Sequence, residues 1–378
     1  MIKSHKTNVL VIGGGVAGLS TAYFLGKLGE KKVVVLEQEK KLGGHASGRN
    51  AGMLRQALPD PVLAELARDS RRYFEKLEGN GWKKLSLWKN GSLILSRESK
   101  RTELEAIEKS LKDAGVPTEW LPRWKVLSKV PVLDDADFSL ALFCASDAMV
   151  DLDPLLKGFI LSLRRLEIPV FCGMRLQSVE STKEGYVVHA GGKTFLAKKI
   201  VNAAGAWASW VGEKAGASKV PLAAYRRHLF ISPNSELRTP NFRKWPFVWD
   251  INLDLYFRPV ARGILLSPCD KTLEKEGDRR ERIDPAVRNL LLDKMRRFSG
   301  AVGQWKIDRA TSGLRTMTPD GRFVVGEDPK KKGFFWVAGL GGHGVTACFS
   351  VGRMAAAAVL GRGKPGRLEK ALSPSRFQ

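Results

Sequence analysis

Three glycines near the amino terminus have the spacing of a phosphate-binding turn. Gly13, Gly15 and Gly18 form a G-x-G-x-x-G pattern, and Glu37 follows the last of them by about 20 residues. In such a turn Gly13 permits the sharp bend, Gly15 lets the backbone approach a pyrophosphate, and Gly18 allows close packing of helix on strand. Glu37 is suited to accept hydrogen bonds from both ribose hydroxyls. This chemistry is the binding of a dinucleotide, either NAD or FAD.

The elements that must position these residues are evident around them. The β-branched run from Val9 to Ile12 predicts a buried strand that leads into the turn. Apolar residues at helical spacing between Leu19 and Leu28 predict a helix, and Val33–Leu36 predicts a second strand that ends next to Glu37. The helix would offer its free N–H groups and the positive end of its dipole to the phosphates.

Two further segments favour FAD over NAD. The loop KLGGHASGRNAGM follows the second strand and offers Ser47, Arg49 and Asn50 as donors to the phosphates and ring of a flavin. The segment GLGGHGVT, from Gly339 to Thr346, is a second glycine turn that opens a helix. The N-terminus of that helix would stabilise the anion of a reduced flavin. An NAD-binding domain has no need of either segment.

The rest of the chain alternates between helical and strand patterns. Glycine or turn residues separate most of the elements. Strands are predicted within residues 85–96, around the turn Lys89–Gly91, and a hairpin is predicted around residues 191–192. The predicted helices span residues 61–79, 99–114, 152–166 and 285–298, and the predicted strands include 170–171, 175–181, 186–189, 194–196 and 200–201.

The composition limits the function classes. The chain has 378 residues and a formal net charge of +24, with Lys and Arg spread along its whole length. That spread predicts a basic solvated surface rather than a nucleic-acid site, with peripheral contact to an anionic membrane face as the alternative. Four scattered cysteines predict reduced thiols and no metal site. The chain has no apolar run of about 18 residues and begins directly with the nucleotide strand, so we expect a cytoplasmic protein, with attachment at the inner membrane face as the alternative.

Five segments in this order resemble the family of glycine oxidase, sarcosine oxidase and D-amino-acid dehydrogenase: GGGVAG, SGRNAG, NAAGAW, GLRTMTPDG and GLGGHG. The resemblance implies an α/β fold, in which a Rossmann-like FAD-binding domain carries an inserted antiparallel-sheet α+β substrate domain, as in glycine oxidase. The FAD-binding domain is predicted at residues 1–75, 146–220 and 311–378. The substrate-binding domain is predicted at residues 76–145 and 221–310.

The same motifs imply the contacts of the cofactor. Sarcosine oxidases attach FAD through a cysteine, and its place here is Gly313, so noncovalent FAD is predicted. His45 is expected to contact the loop or a phosphate. The predicted FAD contacts are Gly13, Gly15, Val16, Ala17, Gly18, Glu37, Gln38, His45, Ser47, Arg49, Asn50, Ala51, Gly52, Leu176, Ala203, Ala204, Gly205, Trp207, Gly313, Arg315, Gly339, Gly341, Gly342, His343, Gly344, Val345 and Thr346.

The family pattern also implies the catalytic residues. Arg315 should bind the substrate carboxylate, because a guanidinium matches a carboxylate with two parallel hydrogen bonds, and the Tyr256 hydroxyl should assist. Met53, Arg227 and His343 complete the predicted catalytic set.

Departures from one branch of the family limit the substrate. The segments Tyr225–Pro233 and Leu255–Pro259 are most similar to D-arginine dehydrogenases. That branch has a substrate-facing histidine where this chain has Met53, a tyrosine near Leu58 and an acid near Ser92. A cationic substrate would lose its partners here. Arg55, Arg226, Arg227 and Arg258 are instead expected near the site, and a small neutral or acidic amino acid is predicted.

The predicted reaction oxidises the Cα–N bond of a D-amino acid, glycine or an N-methyl amino acid. Hydride transfer from Cα to flavin N5 gives an imine, which hydrolyses to a 2-oxo acid. Leu265 replaces the lysine that assists oxygen in sarcosine oxidases, which favours a dehydrogenase; the acceptor, quinone or oxygen, stays open. One alternative is an FAD-dependent 2-hydroxy-acid dehydrogenase of the 2-hydroxyglutarate type, with His343 or His228 as base. The other is a flavoprotein without catalysis, which scaffolds a complex or sits on a membrane.

Overall fold

A computed structural model describes residues 4–78, 82, 85–233, 241–274 and 282–378. The helices are α1 Val16–Lys27, α2 Pro61–Leu77, α3 Arg101–Asp113, α4 Arg123–Lys129, α5 Leu152–Arg165, α6 Ala208–Lys214, α7 Pro285–Phe298, α8 Gly300–Gly303, α9 Gly344–Val359 and α10 Arg367–Leu372. The strands are β1 Ser4–Ile12, β2 Val33–Leu36, β3 Met53–Leu54, β4 Leu87–Trp88, β5 Ser92–Ser96, β6 Glu119–Trp120, β7 Leu140–Cys144, β8 Ala148–Val150, β9 Val170–Phe171, β10 Leu176–Thr182, β11 Gly185–Ala190, β12 Lys193–Asn202, β13 Ala223–Pro233, β14 Phe247–Asp250, β15 Leu255–Val260, β16 Gly263–Ser267, β17 Thr272–Leu273, β18 Arg309–Met317, β19 Val324–Glu327 and β20 Phe334–Ala338.

The first sheet is built on parallel strands. Its order is β10-β11-β12-β1-β2-β9, and β20 pairs with β12 and carries β19. Strand β1 pairs in parallel with both β2 and β12, and β12 pairs in parallel with β20. Helices α1 and α9 pack together in one core cluster with these strands. In open sheets of this kind ligands bind outside the carboxyl ends of the strands, where β1 and β2 lead into the glycine turn and Glu37.

The second sheet is mainly antiparallel. Its order is β17-β13-β16-β15-β14-β5-β7-β6, and β18 runs beside β13. Helices α4, α7 and α8 cover one face and form an apolar cluster with it. The other face packs on Ala51, near the end of the loop that follows β2, and on Met149 of β8. The small sheet β3-β8-β4 lies at this junction.

Most predicted elements are confirmed. The strand Val33–Leu36 and the helix Pro285–Phe298 have the predicted bounds. Helix α2 ends at Leu77, and the predicted end at Gly79 lies outside the described residues. The predicted strand at 200–201 is the end of β12, which also forms the antiparallel hairpin with β11.

The strands predicted within residues 85–96 are confirmed as β4 and β5, but they belong to different sheets. Strand β4 pairs with β8 in the small sheet, whereas β5 pairs with β7 and β14 in the second sheet. The side chain of Asn90 in the connecting turn donates to the carbonyls of Arg243 and Trp245 instead of closing a hairpin. The turn therefore connects two sheets.

Strand β18 crosses the domain boundary predicted at residue 311, because it pairs with β13 along its length. Arg315 is thus a residue of the second sheet, at its border with the first domain. The boundaries themselves stay a prediction.

Within the described ranges, no helix is long and apolar enough to cross a membrane. The same residues hold no group of three or more His, Cys, Asp or Glu side chains that could bind a metal ion.

Candidate active site

A cleft of about 1170 Å³ opens where the carboxyl ends of β1, β2, β12 and β20 meet the N-termini of α1 and α9. Its lining includes most of the predicted FAD contacts. These are Gly13, Gly15, Val16, Ala17, Glu37, Gln38, His45, Ser47, Asn50, Leu176, Ala203, Ala204, Gly205, Trp207, Arg315, Gly339, Gly341, Gly342, Gly344 and Val345.

The sequence reasoning missed other residues of the lining. Several of them are neighbours of predicted residues in the same motifs and could have been predicted with them. Met174, Trp210 and Val211 lie outside those motifs, and no sequence pattern marks them. The missed residues are Ile12, Leu36, Gly43, Gly44, Ala46, Met174, Ala206, Trp210, Val211, Leu314, Thr316, Val337, Ala338 and Leu340.

The first glycine turn is shaped for a phosphate. Gly13 has a φ of +120°, and a Cβ on it would collide with the Ala203 carbonyl. A Cβ on Gly15 would lie 2.9 Å from the Ser47 hydroxyl, which accepts a hydrogen bond from the N–H of Val16 at 2.9 Å. Gly18 lies behind the lining and packs against the Gly13 carbonyl. The turn therefore leaves backbone, helix N-terminus and one hydroxyl at the cleft.

Glu37 is held at the end of β2 by the backbone. One carboxylate oxygen accepts from the N–H of Gly14 at 2.8 Å, and the other accepts from the N–H of Glu39 at 2.9 Å. The residue is 8% exposed and lines the cleft. A carboxylate fixed in this way retains lone pairs for the hydroxyls of a ribose.

His45 lies on the rim of the same cleft. Its ring centroid is 4.6 Å from that of Trp207, and its Nε2 lies 2.9 Å from a carboxylate oxygen of Glu39. Both rings line the cleft. This arrangement fits the predicted loop or phosphate contact.

The second glycine turn brings the far end of the cleft to the second sheet. The Asn50 amide donates to the Gly342 carbonyl at 3.2 Å, and the N–H of Gly341 donates to the Thr316 carbonyl at 2.9 Å. Helix α9 begins at Gly344 and lines the cleft with its first residues. The cleft therefore meets the N-termini of two helices, which both favour negative charge.

Several predicted FAD contacts take supporting positions. The Thr346 hydroxyl donates to the Met53 carbonyl at 2.7 Å, and a Cβ on Gly313 would lie 3.2 Å from the Arg49 carbonyl. Gly52, with a φ of +63°, could not carry a Cβ beside the Val150 carbonyl. Ala51 is buried in the cluster at the second sheet.

The register of the second sheet places Arg315 and Arg227 on one face. Arg227 lies opposite Gly313, and Arg315 lies two residues further along β18. Opposite residues share a face, and alternate residues return to it. Both arginines therefore point to the same side of the sheet, and Arg315 also lines the cleft.

Tyr256 and Trp249 lie on that face as well. They are opposite each other in β15 and β14, and both belong to the cluster with Ala51 and Met53. The Tyr256 hydroxyl is shut off from solvent and has no hydrogen-bond partner in the described part of the chain. A buried hydroxyl without a partner costs free energy, which a bound acceptor would recover.

Positive charges interact strongly here. Burial lowers the pKa of Arg315, and the charge of Arg227 lowers it further. Burial also lowers the pKa of Arg55 to about 10, although Asp147 opposes this shift. The pKa of His343 falls to about 3, because of burial and then the charges of the three arginines. His343 is therefore neutral, and the site attracts anions.

Two expectations about nearby residues need correction. Arg226 lies on the opposite face, where it pairs with Glu274 at 2.5 Å. His228 also points there: its Nδ1 lies 2.7 Å from Asp270, and its Nε2 accepts from the N–H of Asp284 at 3.1 Å. The alternation along β13 sends these residues away from Arg227.

Met53, Leu58 and Ser92, which limit the predicted substrate, lie in three different surroundings. Met53 joins the cluster around Tyr256, and Leu58 is buried in the core of the first domain. The Ser92 hydroxyl donates to Asp147 at 2.7 Å. Asp147 is thus an acid next to Ser92, and it was not predicted from the sequence. It is bonded to Ser92 and attracted to Arg55.

Comparisons with known proteins agree with this geometry. A family model described as FAD dependent oxidoreductase (DAO) matches residues 8–358. The chain is 25% identical over 363 residues to the mouse mitochondrial pyruvate dehydrogenase phosphatase regulatory subunit, covering 93% of this chain and 41% of that protein. It is 24% identical to glycine oxidase of Geobacillus kaustophilus, covering 90% of each. The chain thus spans about two fifths of the mouse protein and most of the bacterial one.

Solved structures show the same fold. The crystal structure of the Geobacillus glycine oxidase has a TM-score of 0.85 at 23% identity, with 99% of each chain covered. That of L-proline dehydrogenase from P. horikoshii has a TM-score of 0.88 at 20% identity, covering 99% of this chain and 98% of that one. The predicted glycine oxidase-like fold class is confirmed.

Proposed function

The chain belongs to the DAO family of FAD-dependent oxidoreductases, and on that basis we propose that it oxidises the Cα–N bond of a small or acidic amino acid. The product is an imine that hydrolyses to a 2-oxo acid. The observation that carries this proposal is the position of Arg315, which lines the nucleotide cleft and shares a sheet face with Tyr256 and Arg227. A carboxylate bound there lies between cofactor and sheet.

The residues of the cleft fit FAD. Gly13 and Gly15 line the cleft, and a Cβ on either would come too close to the Ala203 carbonyl or the Ser47 hydroxyl, which supports a tight turn at the pyrophosphate. Glu37 lines the same cleft, which supports a hydrogen bond to a ribose, and the first residues of α9 line it together with Arg315. When bound, FAD supplies the oxidant that accepts a hydride from the substrate Cα.

The chain itself supplies position and charge. Arg315 and the Tyr256 hydroxyl hold the carboxylate and so fix the Cα against the cofactor. The binding energy of the carboxylate thereby offsets the loss of entropy that orienting the Cα for reaction requires. Met53, Leu265 and the buried ring of Tyr256 exclude water from this contact.

An amine suits the site better than a 2-hydroxy acid. The hydroxyl route requires a base, and the two histidines considered for it are poorly suited. His343 has a pKa near 3, and both ring nitrogens of His228 are engaged on the opposite face. A substrate with a neutral amino group can transfer a hydride from its Cα without a protein base, so the amine route does not require one.

A non-catalytic role is the second candidate, because one relative is named as a phosphatase regulatory subunit. An anaerobic substrate panel separates the candidates. The holoprotein is mixed with both enantiomers of small and acidic amino acids, with N-methyl amino acids, and with 2-hydroxy acids, and the flavin absorbance is followed. Rapid bleaching by amino acids supports the proposal, bleaching by hydroxy acids alone replaces it, and no bleaching favours the non-catalytic role. Reoxidation by oxygen or by a quinone then identifies the acceptor.

A further inference from the structure

Two buried donors lie beside the proposed carboxylate-binding group. The Arg55 guanidinium is 4.5 Å from the ring centroid of Trp249, which lies opposite Tyr256 on the neighbouring strand. The Nε of Arg55 and the Nε1 of Trp249 are both shut off from solvent, and neither has a hydrogen-bond partner among the residues described. Leaving both unpaired costs free energy unless a ligand supplies the acceptor.

The nearby acid does not supply it. Asp147 attracts Arg55, but one of its oxygens accepts from the backbone N–H and side-chain amide of Gln56, at 2.7 and 3.0 Å. The other accepts from the Ser92 hydroxyl at 2.7 Å. Burial also raises the pKa of Asp147. Both Asp147 oxygens are thus engaged by Gln56 and Ser92, which leaves the Nε of Arg55 for another acceptor.

The arginines on this face of the sheet differ in the groups that lie near their guanidinium groups. Arg258, beside Gly52, is attracted by Asp151. Arg227 and Arg315 lie on adjacent strands, and one substrate carboxylate between them and Tyr256 would serve both. Arg227 and Arg258 also have buried nitrogens without a partner among the described residues, but only Arg55 has a second such donor in contact with it, the Trp249 indole N–H.

We propose that the substrate carries two carboxylates, the first bound by Arg315, Arg227 and Tyr256 and the second by Arg55 and the Trp249 indole N–H. The inference rests on the proposed function, since the first carboxylate is the one that fixes the Cα. It narrows the substrate class from small or acidic amino acids to dicarboxylic ones. An amide in place of the second carboxylate would offer the Nε of Arg55 a neutral acceptor instead of a charged one, so the site should bind it more weakly.

Binding of unreactive acids tests this directly. Calorimetry on the FAD-loaded protein compares glutarate and succinate with butyrate, which has one carboxylate. We expect a dicarboxylate to bind at least about 10-fold more tightly, since a charge-assisted hydrogen bond contributes on this scale. Equal affinity for the two classes of acid would overturn the inference.

Two variants assign the second carboxylate. Arg55→Met should weaken dicarboxylate binding by roughly 30-fold or more and butyrate binding by a much smaller factor, because butyrate loses only the field of the distant charge and no direct contact. Trp249→Phe keeps the ring under Arg55, removes only the N–H, and should weaken the dicarboxylate alone by a smaller factor. FAD content and melting temperature of each variant verify folding. An equal loss for both acids, in a folded variant, contradicts the assignment.

Turnover separates this inference from the function on which it rests. Anaerobic flavin bleaching is measured with aspartate, glutamate, asparagine and glutamine, each as both enantiomers. If the acids bleach and the amides do not, both proposals are supported. Bleaching by amides as fast as by acids overturns the inference and keeps the function. Tight, Arg55-dependent binding of dicarboxylates without bleaching by any amino acid overturns the function and supports the second binding group.

Discussion

Gly342 and Arg315 lie side by side where the glycine turn before α9 meets the second sheet. A Cβ built on Gly342 would lie 2.8 Å from the Nε of Arg315 and 2.9 Å from its Cζ. Gly342 belongs to the turn that opens α9, whereas Arg315 belongs to the second sheet. The turn at the cofactor cleft thus sets the position of the proposed carboxylate-binding guanidinium.

Replacing Gly342 with Ala should lower turnover with little loss of FAD. The new methyl group must displace Arg315, and a shift of about 1 Å in a positioning group can cost about 100-fold in rate. The matched control is Gly363→Ala, because Gly363 has a similar φ, +79° against +89°, and no atom within 4 Å of its Cβ position. Both variants carry backbone strain, but Gly342 also lines the cleft, so rates of flavin reduction are compared per bound FAD. Equal rates of flavin reduction in the two variants would contradict this role.

Arg315→Met should keep the fold and the FAD spectrum but lose most turnover. Losing a buried charged contact costs about 2–5 kcal/mol, or about 30-fold to several thousand-fold in kcat/KM. Part of the loss should appear in kcat, because the contact also positions the Cα. Arg315→Lys should recover only part, since an ammonium cannot form the two parallel bonds. If Arg315 is only structural, stability or FAD content falls instead, and the surviving enzyme reduces its flavin at the wild-type rate.

Glu37→Lys should weaken the retention of FAD, because a ribose acceptor becomes a donor and the N–H groups of Gly14 and Glu39 lose their acceptor. Glu39→Lys is the control, since the Glu39 carboxylate binds His45 at the rim. The fraction of FAD that survives gel filtration measures the effect. An FAD content in Glu37→Lys equal to that of the wild type would remove Glu37 from the site.

Acid should release all of the FAD from the purified protein. The expectation comes from Gly313, which stands where sarcosine oxidases carry the attaching cysteine. Precipitation with acid and absorbance of the supernatant provide the measurement. Yellow colour that stays with the precipitated chain would point to a covalent bond, and His45 would be the first residue to examine.

His343 should make the protein less stable as the pH falls. In the unfolded chain it takes up a proton below about pH 6.5, but its pKa in the folded protein is about 3. Between these values the unfolded state binds more protons, so the free energy of unfolding decreases from pH 6.5 toward pH 3. His343→Gln should flatten the fall in melting temperature between pH 7 and pH 5. His189→Gln is the control, because it also removes an imidazole, from the hairpin of β11 and β12. Parallel curves for wild type and His343→Gln would reject the burial effect.

The sequence alone determined the cofactor-binding half of the site. The glycine turn, α1, the strand Val33–Leu36 and Glu37 are contiguous, and their mutual placement follows from local sterics and the fixed hand of the βαβ unit. Helix α7 was predictable for a similar reason: Asp284 caps it, Pro285 begins it, and its apolar positions keep one period.

Only the tertiary structure decided which arginines share a sheet face with Arg315. Arg226 and Arg227 are adjacent and chemically identical, yet one pairs with Glu274 and the other faces Arg315. A strand alternates its side chains, but which face meets the cleft depends on how the second sheet packs on the first. The pairing of Asp147 with Ser92 and the contact of Arg55 with Trp249 likewise join residues far apart in the chain. No local pattern encodes such contacts, because they arise when separate sheets close around one cleft.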